Sequence, residues 1–223
     1  MHQRIIDKYL EELEAKLLRM GSEVERLLKK AIESLIETNE DLAREAIEMD
    51  RTIDAMELEI DRFCIEVLAL HQPAAHDLRF VISIAKITPI LERIADHATS
   101  IAEATIRISQ HPKIKSYFKI PIIAEKACKM LKESLEAIIS EDAEAARQII
   151  KQDKEIDADY KETFDKLLEM MIEDTSTTAV AAQLLFVAKH LERIGDYIKD
   201  ICELTVYMKE AVFIKHHGES SEL

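Results

Sequence analysis

Leu91-Glu92-Arg93-Ile94-Ala95-Asp96 returns one hundred residues later as Leu191-Glu192-Arg193-Ile194-Gly195-Asp196, and the apolar residues around it return in step. Phe80, Ile84, Ile87, Leu91, Ile94, Ala98, Ile101, Thr105 and Ile108 correspond to Val180, Leu184, Val187, Leu191, Ile194, Ile198, Ile201, Thr205 and Met208. Steps of three and four mark a helix that buries one stripe. A chain written twice is constrained to fold as two copies of one unit.

The echo continues upstream, where Ala43, Arg44, Asp50, Ile53 and Asp54 match Ala146, Arg147, Asp153, Ile156 and Asp157 at an offset of 103. The offset therefore falls by three between the two blocks. Loops tolerate length changes that packed helices do not, so a deletion is expected at a turn near Asp174.

Two further stripes complete the first unit. One reads Leu10, Leu13, Leu17, Met20, Val24, Leu27, Ala31. The other, after a candidate N-cap at Asn39, reads Leu42, Ala46, Met49, Ile53, Met56, Ile60, Phe63, Val67, Leu70 and stops at Pro73. Ser109-Gln110-His111-Pro112-Lys113 is the most loop-like stretch and separates the halves; helices near 117–139 and 141–172 precede the last stripe. The expected fold is all-α: six long helices in two tandem, pseudo-symmetric antiparallel three-helix bundles, lying end to end or side by side. The first unit spans 1–110 and the second 111–213, with a disordered tail at 214–223 carrying His216 and His217. The stripes look wide enough to serve two neighbours each.

Only 3 Gly and 4 Pro in 223 residues agree with a helical chain. A formal net charge of −14 disfavours nucleic acid as a partner. No run of ~18 uncharged apolar residues is present, and the first residues lack the apolar core of a secretory signal, so a cytoplasmic protein is expected. Cys64, Cys128 and Cys202 are far apart among apolar neighbours and read as reduced packing residues.

The repeat also duplicates carboxylates. Asp50 and Asp54 lie about twenty residues before the first turn, Glu92 and Asp96 about twenty after it, and antiparallel packing brings all four to one level. Asp153, Asp157, Glu192 and Asp196 repeat the arrangement. Asp50, Asp54 and Glu92 directly follow stripe residues, and the acids are expected to border a groove between two helices. Gathered carboxylates raise one another's pKa unless something positive neutralises them. That charge could come from Arg51, Lys86 and Arg93 in the first half and Lys154, Lys189 and Arg193 in the second, as surface ion pairs. It could equally be a metal ion held by hard oxygen donors, although the Glu-x-x-His pattern of di-iron bundles is missing.

His97 and His190 are not duplicated, since Tyr197 and Ile90 stand at their equivalents, and both read as ordinary partly exposed histidines. Gly195 against Ala95 suggests a close approach by a neighbour. Pro89 should kink the third helix ahead of Glu92. Three glycines cannot build a phosphate loop and no nucleophile elbow is present, so an enzyme is not expected.

The twin Leu-Glu-Arg-Ile-(Ala/Gly)-Asp blocks, together with Leu70-His71-Gln72-Pro73-Ala74-Ala75-His76-Asp77-Leu78-Arg79, resemble the PhoU family of phosphate-uptake regulators across nearly the whole chain. The ten-residue segment has no second copy, because Thr175-Ser176-Thr177-Thr178-Ala179 stands opposite its Arg79 end. The resemblance implies a cytoplasmic, non-enzymatic negative regulator of the phosphate-starvation response. It implies a homodimer linking the ATPase subunit of the phosphate ABC transporter to a sensor histidine kinase, and so meeting the membrane through its partners. It also implies iron or zinc clusters on Asp50/Asp54, Glu92/Asp96, Asp153/Asp157 and Glu192/Asp196. An acidic groove repels free phosphate, so direct phosphate binding there would need a bound cation. The competing expectations are a metal-storage or oxidase bundle, and a plain scaffold whose acids only pair with cationic side chains.

Overall fold

The computed structural model describes residues 4–112 and 116–214; the tail from 215, with His216 and His217, lies outside the described residues. Within them are six α-helices and no strand: α1 (Ile5–Glu37), α2 (Glu40–His71), α3 (Ala75–Ile108), α4 (Ile120–Ile139), α5 (Ala143–Glu173) and α6 (Thr178–Glu210). The fold class read from the periodicity is the one observed, with α4 starting slightly later than expected.

Local chemistry fixes the helix ends. The Asn39 side chain accepts the backbone N–H groups of Asp41 and Leu42, and the Asp142 side chain accepts that of Ala145, so α2 and α5 start on capping residues. Pro121 occupies the first turn of α4, where its missing N–H costs nothing. With glycine so scarce, left-handed C-cap positions fall to Thr38, Gln72 and Ala211 instead. The three-residue difference between repeats falls at the corner between the second and third helix of each unit, but it is taken from the helix ends: α5 stops one residue early and α6 starts three residues late relative to α2 and α3, while the connection itself is one residue longer. The first copy spends Gln72-Pro73-Ala74 there, whereas in the second Asp174 caps a single 3-10 turn, Thr175–Thr177, that leads into α6.

The helices α3 and α6 form the centre, and all nine positions of each repeated stripe are buried. They run antiparallel. Arg79 near the start of α3 donates to the Met208 carbonyl near the end of α6 at 3.1 Å, and Arg107 near the end of α3 reaches Gln183 near the start of α6 at 2.9 Å. Midway, one hexapeptide crosses the other, and the two units lie side by side, joined also through α1 and α4. The α3 helix continues through Pro89, whose ring removes the N–H that the Ala85 carbonyl would otherwise accept.

The second helix buries less than its sequence stripe suggests. In α2 only Ala46, Ile53, Ile60 and Val67 of the nine are closed off, at seven-residue intervals, while Leu70 is 65% exposed. That is a seam of coiled-coil width, because α2 packs on the rim against α1 and α3 alone among the described helices. Cys64 and Cys202 are buried and Cys128 half-buried, all free, and burial pushes their thiols up to about 12, 12 and 11. No described helix is long and apolar enough to cross a membrane.

Candidate functional site

In the first repeat the groove between α2 and α3 gathers the four expected acids. Burial raises the pKa of Asp50, and the charges of Asp54 and Asp96 raise it further. Asp96 is raised by burial and by Asp54, with a hydrogen bond to Glu92 in partial compensation. Burial pushes Glu92 up to about 7, helped by Asp96, Glu57, Asp54 and Asp50 in that order. Burial is the larger cause for all three, and the charge contributions beside it are the mutual repulsion expected of carboxylates held at one level on facing helices.

Glu57 is a fifth member that the duplication hid. It lies one turn beyond Asp54, and its own pKa is raised by burial and by Asp61, Asp54 and Asp96. The i, i+4, i+7, i+11 spacing of Asp50, Asp54, Glu57 and Asp61 was visible in the sequence. Because Tyr160 and Phe164 stand at the equivalents of Glu57 and Asp61, a search for repeated acids passes over both.

The expected cationic partners are elsewhere in this half. Arg51 pairs with Glu48 at 2.9 Å, Lys86 lies over the Phe213 ring and Arg93 over the Tyr197 ring. Among the described residues, none of Asp50, Asp54, Glu92 and Asp96 has a cationic side chain within ion-pairing distance; the Arg93 charge reaches only far enough to lower Asp96 slightly. The donor chemistry fits a hard cation: carboxylate oxygens on two rigid helices with uncompensated charge. It is a set of donors at one level rather than a finished coordination sphere, since no three described His, Cys, Asp or Glu side chains already stand as a metal-ready group.

The second repeat repeats the positions but not the charge. Lys199 reaches Asp153 and Asp196 at 2.9 Å each, Lys189 reaches Glu192 at 2.6 Å, and Arg193 lies 3.8 Å from Asp196. Burial pulls the Lys199 ammonium down, but its two carboxylate partners more than reverse this and raise it. Asp153 is only 4% exposed, and burial lifts its pKa despite Lys199. Gly195 makes that depth possible, as expected of a small residue there: a Cβ would lie 2.8 Å from Asp153 Oδ1. Here the surface ion-pair expectation describes Asp153, Glu192 and Asp196, with Lys199 as a partner not anticipated; among the described residues no cationic side chain is within ion-pairing distance of Asp157, and the expected Lys154 reaches none of the four acids.

Where the hexapeptides cross, His97 Nδ1 and His190 Nδ1 are 2.8 Å apart, and the Tyr197 ring stacks on His97. Both imidazoles are held below their ordinary value, chiefly by burial, and His190 falls to about 4. They are paired across the unit boundary, which neither sequence position alone could reveal.

The comparisons with known proteins agree with this architecture. The profile of the PhoU domain matches residues 17–105 and again 120–205. A protein of Clostridium acetobutylicum named phosphate-specific transport system accessory protein PhoU homolog is 38% identical over 212 residues, 93% of this chain and 95% of that one. One of the same name from Pseudomonas putida is 36% identical over 94% of this chain and 82% of its own length. The crystal structure of PhoU from Pseudomonas aeruginosa superposes with a TM-score of 0.89 at 34% identity, covering 92% of this chain and 99% of that one. Matched twice by one domain profile, and alike in sequence and fold over nine-tenths of its length, this chain belongs to the PhoU family.

Proposed function

We propose that this protein is an accessory regulator of a phosphate-specific transport system. It keeps phosphate uptake and the phosphate-starvation response off when phosphate is plentiful. The observation that carries the reading is the near full-length match to relatives that bear that name. In this reading the chain is a cytoplasmic, non-enzymatic homodimer built of units 1–110 and 111–213. It docks on the ATPase subunit of the phosphate ABC transporter and on the sensor histidine kinase, and reaches the membrane only through them.

The first-repeat cluster has a role in that reading. Asp50, Asp54, Glu92 and Asp96 would hold a hard divalent or ferric cation, with Glu57 at the edge, and the ion would supply positive charge to a groove that otherwise repels anions. Asp54 and Asp96 are exposed, so this is a surface site, unlike the interior of a storage or oxidase bundle. Without the ion, repulsion among these side chains should splay the groove that partners meet.

Capture of the transporter ATPase and of the kinase's cytoplasmic segment on tagged protein, with and without phosphate, tests the adaptor role. Both are expected to be retained, with retention depending on phosphate status. Failure of either to bind under both conditions overturns it. Metal analysis after dialysis tests the site: retained metal should fall in Glu92→Gln/Asp96→Asn, and an unchanged content leaves the acids without that role.

A further inference from the structure

We infer that Lys199 is the resident cation of the second repeat, so that the duplicated carboxylate site is split into a first half open to a hard metal ion and a second half closed to it. Only the contrast with the first half rests on the reading given above. The closed state of the second rests on its own side chains.

Lys199 Nζ lies 2.9 Å from Asp153 Oδ2 and 2.9 Å from Asp196 Oδ1, between the inner helix and the rim helix. An ion bridging those carboxylates would sit roughly 2.0–2.6 Å from each oxygen, which is the ground the ammonium already covers. Two cations cannot share it. The other inward-facing oxygen, Asp153 Oδ1, is buried with no hydrogen-bond partner and is pressed against the α6 backbone at Gly195.

Four replacements between the repeats all act in one direction. Thr99 becomes Lys199 and Pro89 becomes Lys189, bringing in two positive charges. Glu57 becomes Tyr160 and Asp61 becomes Phe164, removing two negative ones. The new groups also engage one another: Lys189 bonds Glu192 and lies 5.4 Å over the Tyr160 ring, and Tyr160 packs on Phe164. An acidic stripe on α2 has thus become an aromatic one on α5, faced by lysines. Divalent ions bind by collecting negative charge, and this groove has had its charge cancelled from within.

The test is a Mn2+ titration of the full chain in which the EPR signal of the free ion reports what is bound, alongside thermal unfolding in chelator and in Mn2+. Two variants remove the ammonium: Lys199→Thr restores the first-repeat residue, and Lys199→Gln keeps a side chain able to hydrogen-bond Asp153 should the first variant fold poorly. Either is expected to bind additional Mn2+ at least tenfold more tightly than the native second repeat, and to be restabilised by Mn2+ after losing stability in chelator. The added binding should vanish when Asp153→Asn is combined with it. If the native chain binds no Mn2+ and the Lys199 variants gain a site, the first-repeat reading fails and this inference stands. If folded Lys199 variants bind no more Mn2+ than the native chain, Lys199 excludes nothing and the inference is overturned.

Discussion

Replacing Gly195 by alanine tests how deeply Asp153 is seated, and the sign of the effect is decided by two opposed terms. In a helix interior alanine is favoured over glycine by ~1 kcal/mol. Against that, the new Cβ would lie 2.8 Å from Asp153 Oδ1 and 3.3 Å from Ile156 Cδ1. The carboxylate has to withdraw by about half an ångström to reach ordinary contact. It has little room to do so, being 4% exposed and tied to Lys199. Overpacking of this kind costs ~1–3 kcal/mol, so the net expectation is a loss of ~1 kcal/mol, a fall in Tm of ~2–4 °C for a chain of this size. Urea unfolding followed by far-UV circular dichroism measures it. The sharper reading comes from the same change made in an Asp153→Ala background, where the carboxylate is gone and only the 3.3 Å contact with the Ile156 side-chain tip remains, so that Gly195→Ala should stabilise by up to ~1 kcal/mol. If Gly195→Ala stabilises the otherwise native chain, the carboxylate is not packed against α6 and the reasoning is wrong.

Asn39→Ala removes the two N–H contacts that start α2 and should cost ~1 kcal/mol in urea unfolding. Ala211→Gly relieves a left-handed residue at φ 60 after α6 and should stabilise by up to ~1 kcal/mol, read as a higher Tm. Arg79→Ala frees the Met208 carbonyl and should lower amide-exchange protection in the last turn of α6, whereas the start of α6 stays protected. For pH, Glu92 has a folded pKa of about 7 against an ordinary 4.5, so the folded state holds its proton more tightly than the unfolded one. In chelator, stability should therefore rise as pH falls from about 7 toward 4.5, and Glu92→Gln should flatten that part of the stability profile; an unaltered slope would mean that burial and the neighbouring acids do not raise Glu92 in the folded state.

Much of the site was legible because helical period and duplication are both local properties of the chain. The spacing of Asp50 and Asp54 on one helix and of Glu92 and Asp96 on the next fixes their height once the turn between them is located, and the charge contributions that add to burial in raising Asp50, Glu92 and Asp96 reflect that convergence. The same emphasis on repetition hid what was not repeated. Glu57 and Lys199 decide the charge of their grooves, yet each aligns with a residue of different chemistry, Tyr160 and Thr99. The α2 stripe does serve two neighbours, α1 and α3, but closes less completely than its period suggests, because periodicity reports which face is apolar and not how deeply it is covered.

The sequence by itself determined six helices, their order, the cap at Asn39, the buried faces of α3 and α6, and the family, because each follows from contacts between residues close in the chain or from a pattern written twice. Only tertiary packing decided that the two hexapeptides cross, that His97 meets His190, and that Lys199 swings back over Asp153 while no described cation reaches Asp50. Those outcomes depend on which helices end up side by side and on the rotamers their crowding permits, and neither is encoded in the spacing along a single helix.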